Sequence, residues 1–116
     1  MANLRTETQL GVAASLGTTY TLLYTVPAAT TVNLLLNVTN RTASAAKLRA
    51  YVADTSWATG EPTAGTLKAA IAYDLSISPG EVIQISGVVL AATNKLVVRS
   101  DTASSLDLIA AGVVVT

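Results

Sequence analysis

An antiparallel β-sandwich or jelly roll of seven to eight strands, behind an extended N-terminal arm, is the all-β fold this sequence predicts. Apolar residues recur at every second position in short runs, and Gly, Pro, Asn, Asp and Ser interrupt those runs about every ten residues. Of the 116 residues 51% are apolar but only 4% aromatic, with no Phe, so Ala, Val and Leu must fill thin layers between sheets.

Residues 1–16 are the least patterned, polar at first and then Leu10-Gly-Val-Ala-Ala. They are expected to form an arm with at most one short strand, and residues 17–116 the sandwich domain. Tyr20, Leu22, Tyr24 and Val26 alternate with Thr21, Leu23 and Thr25 until Pro27 ends the strand. Val32, Leu34, Leu36 and Val38 then share one face, opposite Thr31, Asn33, Asn37 and Thr39. Leu35 breaks that polar face and is a candidate contact. After the turn Asn40-Arg-Thr-Ala-Ser, Leu48, Ala50 and Val52 alternate with Lys47, Arg49 and Tyr51. The Ala-rich stretch 43–53 is strand because β-branched and turn residues flank it. Residues 54–66 hold two Gly, one Pro and the single Trp, a connection longer than a hairpin loop and the best candidate for a functional one.

Leu67, Ala69, Ile71, Tyr73 and Leu75 predict a strictly alternating strand opposite Lys68, Ala70, Ala72 and Asp74. Ser78-Pro-Gly-Glu is a turn signal. Ile83 and Ile85 oppose Gln84 and Ser86, and Gly87 marks a bulge or kink before Val88-Val-Leu. Leu96-Val-Val-Arg-Ser and the segment from Leu106 to Val115 supply the last two strands.

Chemistry is constrained more by what is missing. The chain contains no His and no Cys. An imidazole base, a thiolate nucleophile, a disulfide and an ordinary zinc site are therefore excluded. The seven acids lie mostly at turns and strand ends, with no two spaced to share a strand face at close range. Asp54 and Glu61 share the long connection, but no calcium-loop motif surrounds them. No enzyme activity, cofactor or metal is expected. The sequons at Asn37 and Asn40 read as strand-face and turn-capping residues.

Seven basic and seven acidic residues cancel, and charged residues are only 12% of the chain, about half the usual share. A neutral, weakly charged surface has no electrostatic footprint for nucleic acid or an anionic membrane. It also resists self-association poorly, so a homo-oligomer, trimer or dimer, is expected. No apolar run approaches the ~18 residues of a membrane helix, and the first residues lack the layout of a signal peptide. Trp57 is either an interface anchor or a lid over one end of the sandwich. The pairs Lys47/Arg49 and Lys95/Arg99 each share a strand face and read as edge and surface protection.

Leu23-Tyr-Thr-Val-Pro27, Val32…Leu36-Asn-Val-Thr-Asn40, Ala72-Tyr-Asp-Leu75, Pro79-Gly80-Glu81 and Ser86-Gly-Val-Val-Leu90 resemble small virion proteins of tailed bacteriophages. The resemblance runs from about Thr19 to the C-terminus, leaving the arm outside it and the 54–66 connection distinctive. It implies a β-sandwich structural component of the particle with no catalytic residues to carry over. The leading expectation is a capsid decoration or cement protein on the capsid surface, assembled in the host cytoplasm. It would bind the major capsid protein or another virion protein and stabilise the head. The alternative is a tail- or fibre-associated protein contributing to host attachment. An extended arm can add to a neighbour's sheet edge through main-chain hydrogen bonds. Arg5 and Leu10 are its candidate anchors, joined by Leu35, Trp57 and Glu61 as partner-binding residues.

Overall fold

The computed structural model describes residues 5–116. Its strands are β1 (Arg5–Leu16), β2 (Thr21–Thr25), β3 (Thr31–Asn40), β4 (Ala46–Ala53), β5 (Leu67–Ile77), β6 (Val82–Leu90), β7 (Lys95–Ser100) and β8 (Leu106–Val115). They form two four-stranded sheets, ordered β1-β8-β3-β6 and β2-β7-β4-β5, with every pairing antiparallel. Only the β4–β5 connection stays within one sheet; all the others cross the sandwich. This strand order is the jelly roll, two Greek keys wound into two facing sheets.

The alternation read from the sequence decides which side chains lie between the sheets. Val32, Leu34, Leu36 and Val38 of β3 are fully buried, as are Leu106, Leu108 and Ala110 of the neighbouring β8. They face Leu48, Ala50, Leu96 and Val98 of the second sheet in one continuous core. A one-residue slip would turn each set to solvent, which fixes the register. Asn40 closes one end of this core. Its buried amide donates to the carbonyls of Ser44 and Ile77, both at 2.9 Å, and its Oδ1 accepts the Thr42 backbone N–H at 2.9 Å.

Three segments depart from the simple alternation. The segment expected as an arm is extended, and from Arg5 it runs as a twelve-residue edge strand paired with β8. Strand addition is thus made within the chain; the arm's residues 1–4 lie outside the described residues. The Asp107 carboxylate pins the end of β1, accepting the Ser15 N–H at 2.8 Å and Arg41 Nε at 2.5 Å. In β2 one extra residue, Leu23, sits between the pairs Leu22↔Val97 and Tyr24↔Leu96. Leu23 and Tyr24 therefore both pack on the core, while Leu22 points out.

β5 departs furthest. Three register shifts against β4 each add a residue to β5, one of them at Asp74, whose φ is 53°. Ala72 is buried and Tyr73 is 60% exposed, the reverse of the strict alternation expected there. Bulges reverse the phase of a strand, and on an edge strand they also obstruct pairing with another chain. Gly87 forms the bulge its sequence context predicted, standing with φ 78° between the pairs Leu34↔Val88 and Leu35↔Ser86.

Candidate functional site

The two sheets turn very different outer faces to solvent. On β1-β8-β3-β6 the register sets Ile109, Ala111, Val113 and Val115 in a column along β8. Val12 on β1 lies beside Ile109, and Leu35 on β3 beside Ala111. Val89 on the far edge is opposite Asn33. Val12, Val89 and Ile109 are all exposed. Charges flank this apolar field: Arg5 and Glu7 at one end, and the Asp107–Arg41 pair at the other. A recess of about 650 Å³ opens in it, lined among others by Glu7, Asn33, Leu35, Ser86, Gly87 and Val113. Further along β3, beside Ile109 and Gln84, the buried Oδ1 of Asn37 accepts no hydrogen bond from the described residues.

The outer face of β2-β7-β4-β5 is built from aromatic and charged groups. The 54–66 connection folds across it, held at its base by the Asp54 N–H to Thr66 O bond at 2.8 Å. Trp57 is only 6% exposed and packs on Ala53 and Val97, with Tyr20 at the margin. Its indole N–H donates to Gly60 O at 2.8 Å, and Lys95 Nζ donates to Trp57 O at 2.8 Å. These contacts make Trp57 a lid over the outer surface of the sheet. The loop thereby delivers Glu61 to Tyr51, whose hydroxyl donates to it at 2.6 Å.

Arg49 is the hub of this face. Its guanidinium donates to both Asp74 oxygens at 2.7 and 3.2 Å, to Glu61 at 3.1 Å and to the Tyr20 hydroxyl at 3.2 Å. It also lies 4.2 Å above the Tyr73 ring. Tyr51 packs between Tyr20 and Tyr73, at ring separations of 5.9 and 6.5 Å. The Arg49 hydrogen bonds hold the Asp74 carboxyl below its ordinary pKa. The Tyr51 hydrogen bond does the same for Glu61. Burial, reinforced by the bond to Glu61, pushes the Tyr51 phenol up. Each of these shifts favours the state the group already holds at neutral pH, and together the groups form a hydrogen-bonded polar surface.

Arg99 stands directly opposite Arg49 in the ladder. Its guanidinium lies 5.2 Å from the Tyr20 ring centroid, and its buried Nε has no hydrogen-bond partner.

The residues singled out in the sequence are divided between the two faces. Leu35 lies in the apolar field and Arg5 at its exposed end, opposite Val115. Leu10 is partly buried against the core, so its side chain contributes to the fold. Trp57 and Glu61 belong to the other face. Tyr20, Arg49, Tyr73, Asp74 and Arg99 were not singled out as site residues. The shared face of Lys47 and Arg49, and that of Lys95 and Arg99, was the available signal, since only the pairing of β4 with β7 joins them. No group of acids able to hold a metal ion occurs among the described residues, and no helix is long and apolar enough to cross a membrane.

No family model matches the chain, and no curated protein matches it. A solved structure does: a chain in the structure of infectious bursal disease virus Gx strain. That match has a TM-score of 0.55 at 13% identity and covers 97% of this chain. It spans 32% of the viral chain, about a third of its length. The two share a fold. Nearly the whole sandwich participates, so the likeness covers both sheets.

Proposed function

We propose that this chain is a non-enzymatic structural protein of a virus particle. In our reading it is a capsid decoration or cement protein that seats the outer face of β1-β8-β3-β6 on the major capsid protein. The observation that carries the reading is the apolar column Ile109, Ala111, Val113 and Val115 on an interior strand, widened by Leu35, Val12 and Val89. An exposed apolar field rimmed by polar residues is the signature of a protein-binding surface. A specific interface buries roughly 1,200–2,000 Å² in total, and many copies on a shell add avidity to each contact. The fold shared with a viral chain and the resemblance to phage virion proteins support the same reading. Self-association into a dimer or trimer accompanies it, because the chain carries no net charge to oppose contact.

Labelled protein located by electron microscopy on purified particles is the direct test, with density at seams between capsid subunits as the expected result. Ile109→Glu should abolish that density while leaving the domain folded. A particle bearing the variant as well as the wild type does would overturn the assignment of this face. The second reading, a tail- or fibre-associated protein aiding host attachment, draws on the aromatic face and Tyr73, the most exposed of its rings. Density on the tail with none on the head would select it.

A further inference from the structure

Resting on the reading that the outer face of β1-β8-β3-β6 docks on a partner protein, we infer that the recess in that face is a socket for a basic side chain of the partner, whose cation pairs with the Glu7 carboxylate.

All four strands of the sheet build the recess. The ladder sets Glu7 on β1 beside Val113 on β8, and Val113 beside Asn33 on β3. Leu35 on β3 stands between Ala111 on β8 and Ser86 on β6. Ala111 and Ser86 are small, and at Gly87 an added Cβ would meet nothing within 4 Å. Small residues at these positions leave about 650 Å³ open, within the range of about 300–1,000 Å³ typical of binding clefts. Leu35, Ala111 and Val113 make its wall largely apolar.

Glu7 is the one charged residue of the lining. It is exposed and forms no ion pair with any described residue. Arg5 shares its strand face two positions away but lies outside the lining. In the free chain the carboxylate is hydrated. A partner seated on the surrounding apolar field removes that water, and a carboxylate covered without a counter-charge is strongly disfavoured. A neutral or acidic surface over the recess is thereby rejected and a basic one selected. Lysine and arginine suit the lining on a second count. Their methylene stems pack along apolar surface while the charged head stays with polar groups. Here Leu35, Ala111 and Val113 receive the stem and Glu7 the head. The source is a protein and not a free amine, because a single exposed ion pair is weak in water. The exposed Val12, Val89 and Ile109 of the same face gain only from a surface that covers them.

The test follows the backbone amides of the ¹⁵N-labelled protein by NMR. The added probe is the peptide Gly-Leu-Lys-Leu-Gly, compared with its norleucine counterpart, which keeps an apolar stem without the charge, and with n-butylamine. The Thr8, Gly87 and Gly112 amides should shift saturably with the lysine peptide. The norleucine peptide should bind about tenfold more weakly, the loss expected for one charge-assisted bond, and the difference should shrink as salt is raised. Glu7→Gln should bring the two peptides level, whereas Arg5→Gln should keep the lysine peptide ahead. Because the first comparison uses the wild-type chain, it does not depend on how the variants fold. Equal binding of the two peptides to the wild-type chain overturns the socket but leaves the docking face standing, since Ile109→Glu on particles tests that separately. The socket is also overturned by a lysine preference that survives Glu7→Gln, by absence of a saturable shift at these amides, or by n-butylamine binding as tightly as the peptide.

Discussion

The outer faces of the two sheets solve the same problem in opposite ways. Both must cover a four-stranded sheet whose inner side is equally apolar. On β1-β8-β3-β6 the outer positions are left weakly polar, with Ile109, Ala111 and Val113 in one column along β8, Leu35 beside Ala111, and the charges displaced to the ends. On β2-β7-β4-β5 a loop, three tyrosines and an arginine hub are layered over the strands. Each face nevertheless keeps one buried side-chain atom without a partner, Asn37 Oδ1 on the first and Arg99 Nε on the second. The difference teaches that a sandwich core leaves its exterior free. The same inner alternation supports an adhesive sheet on one side and a preorganised polar one on the other.

Adjacent residues of β3 offer the sharpest way to separate face from core. Leu36→Ala should cost about 2–5 kcal/mol, the usual loss for a fully buried leucine, read as a lower denaturant midpoint. Leu35→Ser, one residue away and pointing outward, should stay within about 0.5 kcal/mol in the same titration yet weaken self-association measured by light scattering. A large stability loss at Leu35 would mean that the apolar face belongs to the fold and not to a partner. On the opposite face, Trp57→Ala should cost about 3 kcal/mol, because the indole roofs Ala53 and Val97 and ties down the loop. Thermal unfolding checks it, and an unchanged midpoint would show that the loop is not anchored through this ring.

A smaller effect is expected at Gly112, between Ala111 and Val113 on β8. A Cβ there would collide with the backbone carbonyl of Asn33 on β3, so Gly112→Ala forces two interior strands apart. The expected loss is about 1–3 kcal/mol, the range for overpacking, again from the denaturant midpoint. The smallest effect is that of pH. Asp74, Glu61 and Asp107 all have pKa values lowered in the folded state, by Arg49, by Tyr51, and by the Ser15 N–H with Arg41. Their stabilisation is complete above the ordinary carboxylate range near pH 4 and is lost as pH falls through the lower folded values. With no histidine to titrate, the thermal midpoint should be flat from about pH 5 to 8 and drop only below about pH 4. A midpoint that changes between pH 5 and 8 would contradict these assignments. Arg49→Met should raise the apparent pKa of Asp74 while leaving that of Asp107 in place, which localises the effect to one face.

Much of this could be read along the chain, and the exceptions share a cause. The buried positions of β3 and β8, and the inward ones of β4, follow from period-two alternation because interior strands pair on both sides, whereas Tyr51 and Ala53 of β4 are buried from the other side by the 54–66 connection. Edge strands are freer. β5 takes up three extra residues and turns Tyr73 outward, and β2 takes up Leu23, neither of which local pattern encodes. The role of residues 5–16 was equally hidden, since a mixed polar segment becomes a strand only where a long neighbour such as β8 offers its edge.

The sequence by itself determined that the chain builds an all-β sandwich, that its interior is made of small aliphatic side chains, and that imidazole and thiol chemistry are absent. Alternation, turn residues and composition are local properties, and they suffice for those conclusions. Tertiary structure alone decided that eight strands follow the jelly-roll order. It also decided that Arg49 meets Arg99 across a ladder joining residues fifty positions apart, and that Trp57 closes over the sheet. Those contacts arise from pairing between distant segments, which loop closure and strand register select only when the whole sandwich forms.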